Sequence, residues 1–158
     1  MATLSIDAAL KARYDALTAT NFPGDALPPM YFGQAAQTTG AGAQQRLPYV
    51  VFTEASHQFT ILDFERSALH VVGFVLDVYA NSLADVDECV LGIRLNGGTV
   101  GQGLGFDYGT LTDLASPRST HQIIPTGEPR RLDQPLDIEG NRVHAARLEY
   151  RVTVLESA

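Results

Sequence analysis

The sequence has one cysteine, Cys89, and no tryptophan. A single cysteine cannot form a disulfide within the chain, so the fold has to be held together by its core. Charged residues make up only 18% of the chain. No apolar run approaches the roughly 20 residues that a membrane-spanning helix requires. The segment from Met1 to Asp7 has neither a positive nor an apolar character, so we expect no secretory signal and a cytoplasmic chain.

The composition is that of a globular protein. Of the 158 residues, 45% are hydrophobic, including six Tyr and seven Phe. A chain of this length can bury about 68–70% of its unfolded surface in one core, so we expect a single domain over residues 1–158. The net charge of −7, with basic residues scattered apart from Arg130-Arg131, argues against a protein that grips nucleic-acid phosphates.

Two segments have helical periodicity. The first helix is predicted over residues 6–18, with Ser5 as its cap. The second follows Ser82-Leu83-Ala84-Asp85, which resembles a capping box with Asp in the third position, and Asn96-Gly97-Gly98 ends it. The apolar stripe of the first helix comprises Ile6, Leu10, Tyr14 and Leu17. That of the second comprises Leu83, Val86, Val90 and Ile93, with Cys89 beside it.

Alternation and β-forming residues predict strands over residues 28–33, 47–53, 59–64, 68–80, 121–124, 129–132 and 144–154. Both faces of 68–80 are largely apolar, so we expect a central strand, covered on both sides or along a subunit contact. The last strand has one wet face. The predicted class is α+β: a mostly antiparallel sheet with two amphipathic helices packed on it. Long loops are expected at Gln34–Arg46 and Gly97–Pro117.

No candidate site rises above a structural explanation. Gly98–Gly105 contains Gly-x-Gly-x-Gly, but a helix precedes it and no Gly-Lys-Ser/Thr follows, which favours a loop over a phosphate site. Cys89 lies beside an apolar stripe, as a small buried hydrophobe does. We expect no catalytic, cofactor or metal site and no enzyme activity. The other residues weighed, none with the neighbours such chemistry needs, are His57, His70, His121, His144, Asp63, Glu65, Asp85, Asp87, Glu88, Ser116 and Ser119.

The order of features resembles that of the tail terminator and head–tail joining proteins of long-tailed bacteriophages. The features are an amphipathic N-terminal helix, the proline-tyrosine strand Leu47–Phe52, the long apolar strand Ala68–Ala80, the helix that starts at Ser82, and the alternating strand His144–Val154. The resemblance covers most of the chain and rests on this order rather than on one motif.

The resemblance implies a homohexameric ring in the tail or neck of the virion, assembled in the host cytoplasm. Such a ring caps the tail tube, ends its polymerisation and joins the tail to the head–tail connector protein. Its partners would be the tail tube protein and the connector, with DNA only passing through the lumen and no membrane contact. The alternatives are another neck or tail component, such as a head-completion protein or a tube subunit, or a small-molecule binding module.

Overall fold

The computed structural model describes residues 6–33, 38–39, 43–44, 47–62, 67–95, 106–107, 118–132, 136–138 and 141–156. Two α-helices, two short 3₁₀ turns and nine strands occur in these ranges, which confirms the α+β class. In chain order the elements are α1 (Asp7–Asp15), 3₁₀ turns at Ala19–Asn21 and Pro23–Asp25, β1 (Met30–Phe32), β2 (Thr38–Thr39), β3 (Ala43–Gln44), β4 (Tyr49–Ile61), β5 (Ala68–Ala80), α2 (Leu83–Leu95), β6 (Arg118–Pro125), β7 (Arg130–Arg131), β8 (Leu136–Ile138) and β9 (Asn141–Glu156).

The main sheet is mostly antiparallel and has the strand order β1-β4-β5-β9-β6. Only β1 runs parallel to its neighbour, β4. β5 lies between β4 and β9, so its predicted central position is confirmed. β6, β7 and β8 pair in turn with successive parts of β9, so these three strands follow β9 from its end back to its start.

The core lies between the helices and one face of this sheet, here called the helix side. Even-numbered residues of β5 and β9 point to it because side chains alternate along a strand. The buried cluster comprises Val50 and Phe52 of β4, Val72, Phe74, Leu76 and Val78 of β5, Leu148, Tyr150, Val152 and Val154 of β9, and Leu10, Tyr14, Cys89 and Ile93 of the helices. The alternation predicted for the last strand is thereby confirmed.

The opposite face of the sheet is here called the outer face. Of the two alternatives predicted for residues 68–80, cover on both sides is not seen among the described residues, and a subunit contact stays a prediction. Leu69, Val71, Val75 and Tyr79 are only half-buried there. Asp77 is the buried polar exception: Nε and Nη2 of Arg147 donate hydrogen bonds to its two carboxylate oxygens, over 2.8 and 3.0 Å. Apolar cover is therefore one-sided along β5 within the described residues.

β4 is a single 13-residue strand, so the two strands predicted at 47–53 and 59–64 are wrong as separate elements. Ala55 is the extra residue of a β-bulge: Glu54 pairs with Phe74 and Ser56 with Gly73. The extra residue changes which side chains face the helix side: even-numbered before the bulge and odd-numbered after it. Polar residues around His57 are tolerated because this part of the strand is exposed, apart from the half-buried His57.

α1 is shorter than the predicted 6–18 and spans Asp7–Asp15. Ile6 occupies the N-cap position without a side-chain hydrogen bond, and Ser5 lies outside the described residues. Leu17 is buried after the helix has ended, because the chain turns back through the two 3₁₀ turns and also buries Phe22 against α2.

α2 spans Leu83–Leu95, as its sequence pattern predicts, and the backbone N–H of Asp85 donates to Ser82 Oγ over 3.1 Å. Its buried stripe is rotated from the predicted one. Cys89 is fully buried, whereas Leu83 is 45% exposed. The buried set is Val86, Cys89, Gly92 and Ile93.

Ser82→Ala is expected to lower the free energy of unfolding by about 1 kcal/mol, because it removes the acceptor for the Asp85 N–H. Urea unfolding measures the loss. Ser82→Asn is the matched control, since an Asn side chain is an equally good cap acceptor and most of the stability should return. Equal losses in the two variants would show that the cap contributes nothing.

The two predicted long loops contain more structure than expected. Within Gln34–Arg46, β2 and β3 form a short antiparallel ladder. Within Gly97–Pro117, Phe106 is fully buried and its backbone N–H donates to the Ile93 carbonyl over 2.7 Å. Phe106 therefore anchors Gly97–Pro117 to the core, and replacing this segment by a tight turn would remove part of the core. Apart from Asp107, the rest of this segment lies outside the described residues.

Candidate functional site

The fold brings together two of the four histidines weighed in the sequence. Nε2 of His57 and Nδ1 of His70 lie 2.9 Å apart on neighbouring strands of the β4–β5 hairpin. A hydrogen bond at this distance requires one of the two ring nitrogens to be without its proton. His144 is half-buried on β9, opposite Ala80, and the side chain of His121 lies outside the described residues.

Two carboxylates flank this histidine pair. Glu54 Oε1 is 3.8 Å from Nδ1 of His57, and Glu156 Oε2 is 3.9 Å from Nε2 of His70. Within the described ranges, no three His, Cys, Asp or Glu side chains are arranged to hold a metal ion. The sequence spacing gave no hint of the pair, because its proximity depends on the register of β4 against β5.

Cys89 is fully buried in the core. Burial, with smaller contributions from Asp85 and Glu88, raises the pKa of its thiol from 9.0 to about 12. The thiolate is the nucleophilic form of cysteine, and it is scarce at neutral pH in this environment. Cys89 therefore serves packing, as its place beside an apolar stripe predicts.

The raised pKa of Cys89 predicts a loss of stability in alkali. Because the folded pKa of about 12 exceeds the ordinary value of 9.0, the stabilisation is complete below about pH 9 and is lost as pH rises towards 12. The urea midpoint should therefore fall more steeply between pH 8 and 10.5 in the wild type than in Cys89→Ala. The raised pKa values of the buried tyrosines make the urea midpoint fall with pH by the same amount in both proteins. Parallel pH profiles would contradict the shift, as would rapid maleimide labelling of the folded protein.

The remaining weighed residues do not form a catalytic arrangement in the described structure. Asp87 is exposed and its Oδ2 accepts a hydrogen bond from Arg131 Nη2 over 2.6 Å, tying α2 to β7. Asp85 and Glu88 lie on α2. Asp63, Glu65, Ser116 and the glycines of Gly98–Gly105 fall outside the described residues, and so does the side chain of Ser119.

A buried carboxylate that the sequence did not reveal joins three elements. Asp107 accepts hydrogen bonds from Arg94 Nε and from the Tyr150 hydroxyl, both over 2.9 Å. Burial is the main cause that raises the pKa of Tyr150 well above its ordinary value. Since donors occupy both Asp107 oxygens, this group fixes residues 106–107 onto the end of α2. The only sequence signal was Phe106-Asp107-Tyr108 interrupting a glycine-rich stretch.

The most distinctive surface is the part of the β4–β5 hairpin in which β4 is exposed and has an unpaired edge. We call it the arm and define it as Thr53–Leu62, the rest of β4 with the residue after it, together with Ala68–Val75 of β5. β1 pairs with β4 only as far as Phe52, and among the described residues nothing pairs with this edge of β4 afterwards. The end of the arm is apolar and open to solvent: Phe59, Ile61 and Leu62 are 49%, 56% and 52% exposed.

The outer face of the arm holds a shallow groove of about 440 Å³. Gly73 forms part of its floor, and a Cβ there would lie 2.5 Å from Ser56 Oγ. Two charged residues line it, and one of them, Glu149, is paired with Arg130 over 2.6 Å. The groove walls include Ser56, Gln58, Val71, Val75, Glu149 and Arg151. Such walls offer contact area and two opposite charges rather than convergent catalytic groups.

In comparisons with known proteins, no protein-family model and no curated protein matches this chain. Among the described helices, none combines the length and the apolar character needed to cross a bilayer.

Proposed function

We propose that this chain is a structural protein of a long-tailed bacteriophage. In this proposal it is the tail terminator: a ring, hexameric in that family, that caps the tail tube, ends its polymerisation and offers a surface to the head–tail connector. It acts passively and makes or breaks no bond. The ring would reside in the tail or neck of the virion.

The observation that carries the proposal is the arm. An unpaired strand edge and three exposed apolar side chains at its end form a surface of the kind that proteins use for association. Isolated domains usually block such edges with lysine, proline or a covering segment. Thr53–Leu62 contains neither lysine nor proline. In a ring of subunits, such an edge can pair with a neighbouring subunit.

The charge of the chain agrees with a conduit for DNA. A net charge of −7 per subunit disfavours tight binding to phosphates, because protein–DNA affinity comes largely from Lys and Arg contacts. DNA passing through a ring of such subunits would meet no concentrated positive lining.

Disruption of the gene in its phage tests the proposal. We expect tails of uncontrolled length that do not join heads, seen by negative-stain electron microscopy, and normal particles after complementation with the wild-type gene. Tails of normal length joined to heads would exclude a terminator role. Tails of normal length beside unattached heads would instead favour a head-completion protein.

The groove on the outer face supports a second candidate, a small-molecule binding module. Its volume of about 440 Å³ lies in the range of ligand pockets, but it is open and has few convergent polar groups. A thermal-shift screen with small anionic and cationic metabolites tests this candidate. Stabilisation that Gly73→Val abolishes would favour it over the ring.

A further inference from the structure

The free edge of β4 presents backbone groups to solvent at defined positions. The Leu62 N–H donates to the Ser67 carbonyl over 2.7 Å, so the backbone of Leu62 points towards the β5 side of the hairpin. Backbone groups alternate in direction along a strand. Thr60 and Gln58 therefore also point to β5, whereas His57, Phe59 and Ile61 direct their N–H and C=O groups away from it.

A second open edge lies on the other side of the sheet. β6 pairs with β9, and no described strand pairs with the far edge of β6. The Thr126 N–H donates to the Glu149 carbonyl over 2.9 Å, which directs the backbone of Ile124 to β9 and that of Ile123 away from it. The described sheet thus has one long open edge at each side.

The two open edges lie at the same level of the sheet. The pairing registers of β4 with β5, β5 with β9, and β9 with β6 connect them in rows. The row at the end of the arm contains Ile61, Ala68, Glu156 and Arg118, and the row at the other end of β6 contains Glu54, Phe74, Tyr150 and Pro125. Each edge runs for about 26 Å, at about 3.3 Å per residue over the eight residues of β6.

The strand directions also match. β4 is antiparallel to β5, β5 to β9, and β9 to β6, so β4 and β6 run in opposite directions. A second copy placed beside the first, with its helices on the same side, would bring its β6 antiparallel to β4. The alternation of the sheet would then continue from one copy into the next.

We propose that the free edge of β4 in one copy pairs with the free edge of β6 in a second copy. The inference rests on the ring proposed above and names the surface that joins its subunits. A head-to-tail contact closes into a ring when it has no rise along the axis and otherwise gives a filament. Because the two edges lie at one level, this pairing has no offset along the strands, which meets that condition when the strands run along the ring axis.

Phe59→Pro tests the pairing. Its N–H points away from β5, so proline removes a donor that faces no described strand of the same chain, and edge strands tolerate proline at such positions. Phe59→Thr is the matched control, since it removes the ring but keeps the N–H in a residue that favours strands. By light scattering we expect the wild type and Phe59→Thr to assemble. Phe59→Pro should run at the monomer mass of 17.0 kDa, with association weakened at least about tenfold.

The outcomes separate the two proposals. A wild-type monomer at all concentrations, with tail tube present as well, would overturn both. If Phe59→Pro assembles as the wild type does, the edge pairing alone is overturned. Loss of assembly in both Phe59→Pro and Phe59→Thr would also overturn it, because association would then depend on the phenylalanine side chain. If Phe59→Pro fails to fold by circular dichroism, Ile61→Pro repeats the test at the next outward N–H.

Cysteine cross-linking tests the level of the pairing independently. In the Cys89→Ala background, Ile61→Cys together with Arg118→Cys places thiols opposite each other across the two copies. Directly opposed strand residues lie within disulfide reach. Mild oxidation should give covalent multimers on a non-reducing gel. The control, Gln58→Cys with Arg118→Cys, is three residues out of register and should run as a monomer on the same gel, because no disulfide forms. Equal cross-linking of both cysteine pairs would contradict a contact in which the two edges lie at the same level.

Discussion

Phe74→Ala is expected to lower the free energy of unfolding by about 3–5 kcal/mol, the usual cost of truncating a buried phenylalanine. Phe74 is 1% exposed and occupies the middle of the aromatic core. Its ring centroid lies 5.5 Å from those of Phe52 and Tyr150 and 6.3 Å from that of Phe106. These three rings belong to separate elements and cannot all shift into the cavity that the substitution leaves. The part of the destabilisation that comes from the cavity should therefore be large.

Urea unfolding followed by far-UV circular dichroism measures this loss. Leu91→Ala is the control, because Leu91 is 55% exposed and its truncation should cost no more than about 0.5 kcal/mol. A loss below about 1 kcal/mol for Phe74→Ala would mean that the aromatic cluster is not the centre of the core.

Gly92→Val is expected to destabilise the protein by about 3 kcal/mol, the upper end of the usual cost of overpacking. A Cβ at Gly92 would lie 2.8 Å from the Asn21 carbonyl oxygen and 3.0 Å from two ring atoms of Phe22. The backbone oxygen cannot rotate away, so α2 and the 3₁₀ turn at Ala19–Asn21 would have to separate. Gly92→Ala should also destabilise, although alanine favours a helix over glycine by roughly 1 kcal/mol.

The change in thermal midpoint measures this effect. Leu91→Val is the matched control, since it adds a β-branched residue at the neighbouring, 55% exposed position of α2 and should cost only a few tenths of a kcal/mol. Stabilisation by Gly92→Ala would show that the close approach of α2 to Asn21 is absent in solution.

The elements predicted best are those whose signals are local. β5 consists largely of β-forming apolar residues, and α2 follows a capping serine, so both spans could be predicted. β4 was divided because its polar residues around His57 lie outside the core, where alternation of apolar residues is not required. β8 was missed because three residues carry too little pattern.

The site residues that the sequence could not reveal depend on tertiary contacts. His57 and His70 are 13 positions apart and meet only through the hairpin register. Asp107 follows a glycine-rich stretch without periodicity, and its role comes from Arg94 and Tyr150 on two other elements. The rotation of the α2 stripe towards Cys89 has the same origin, since the position of the sheet decides which helix face is covered.

The bulge at Ala55 means that the arm contains one residue that has no partner in the ladder with β5. After Ala55, the side chains and the backbone N–H groups point in the directions they would have in a regular ladder without Ala55. Deletion of Ala55 would therefore leave Phe59 and Ile61 on the helix side, with their N–H groups still directed outwards, whereas a one-residue deletion in a regular strand reverses every later side chain. The chain between Glu54 and Gln58 can thus shorten by one residue during evolution or engineering without altering what the arm presents to a partner.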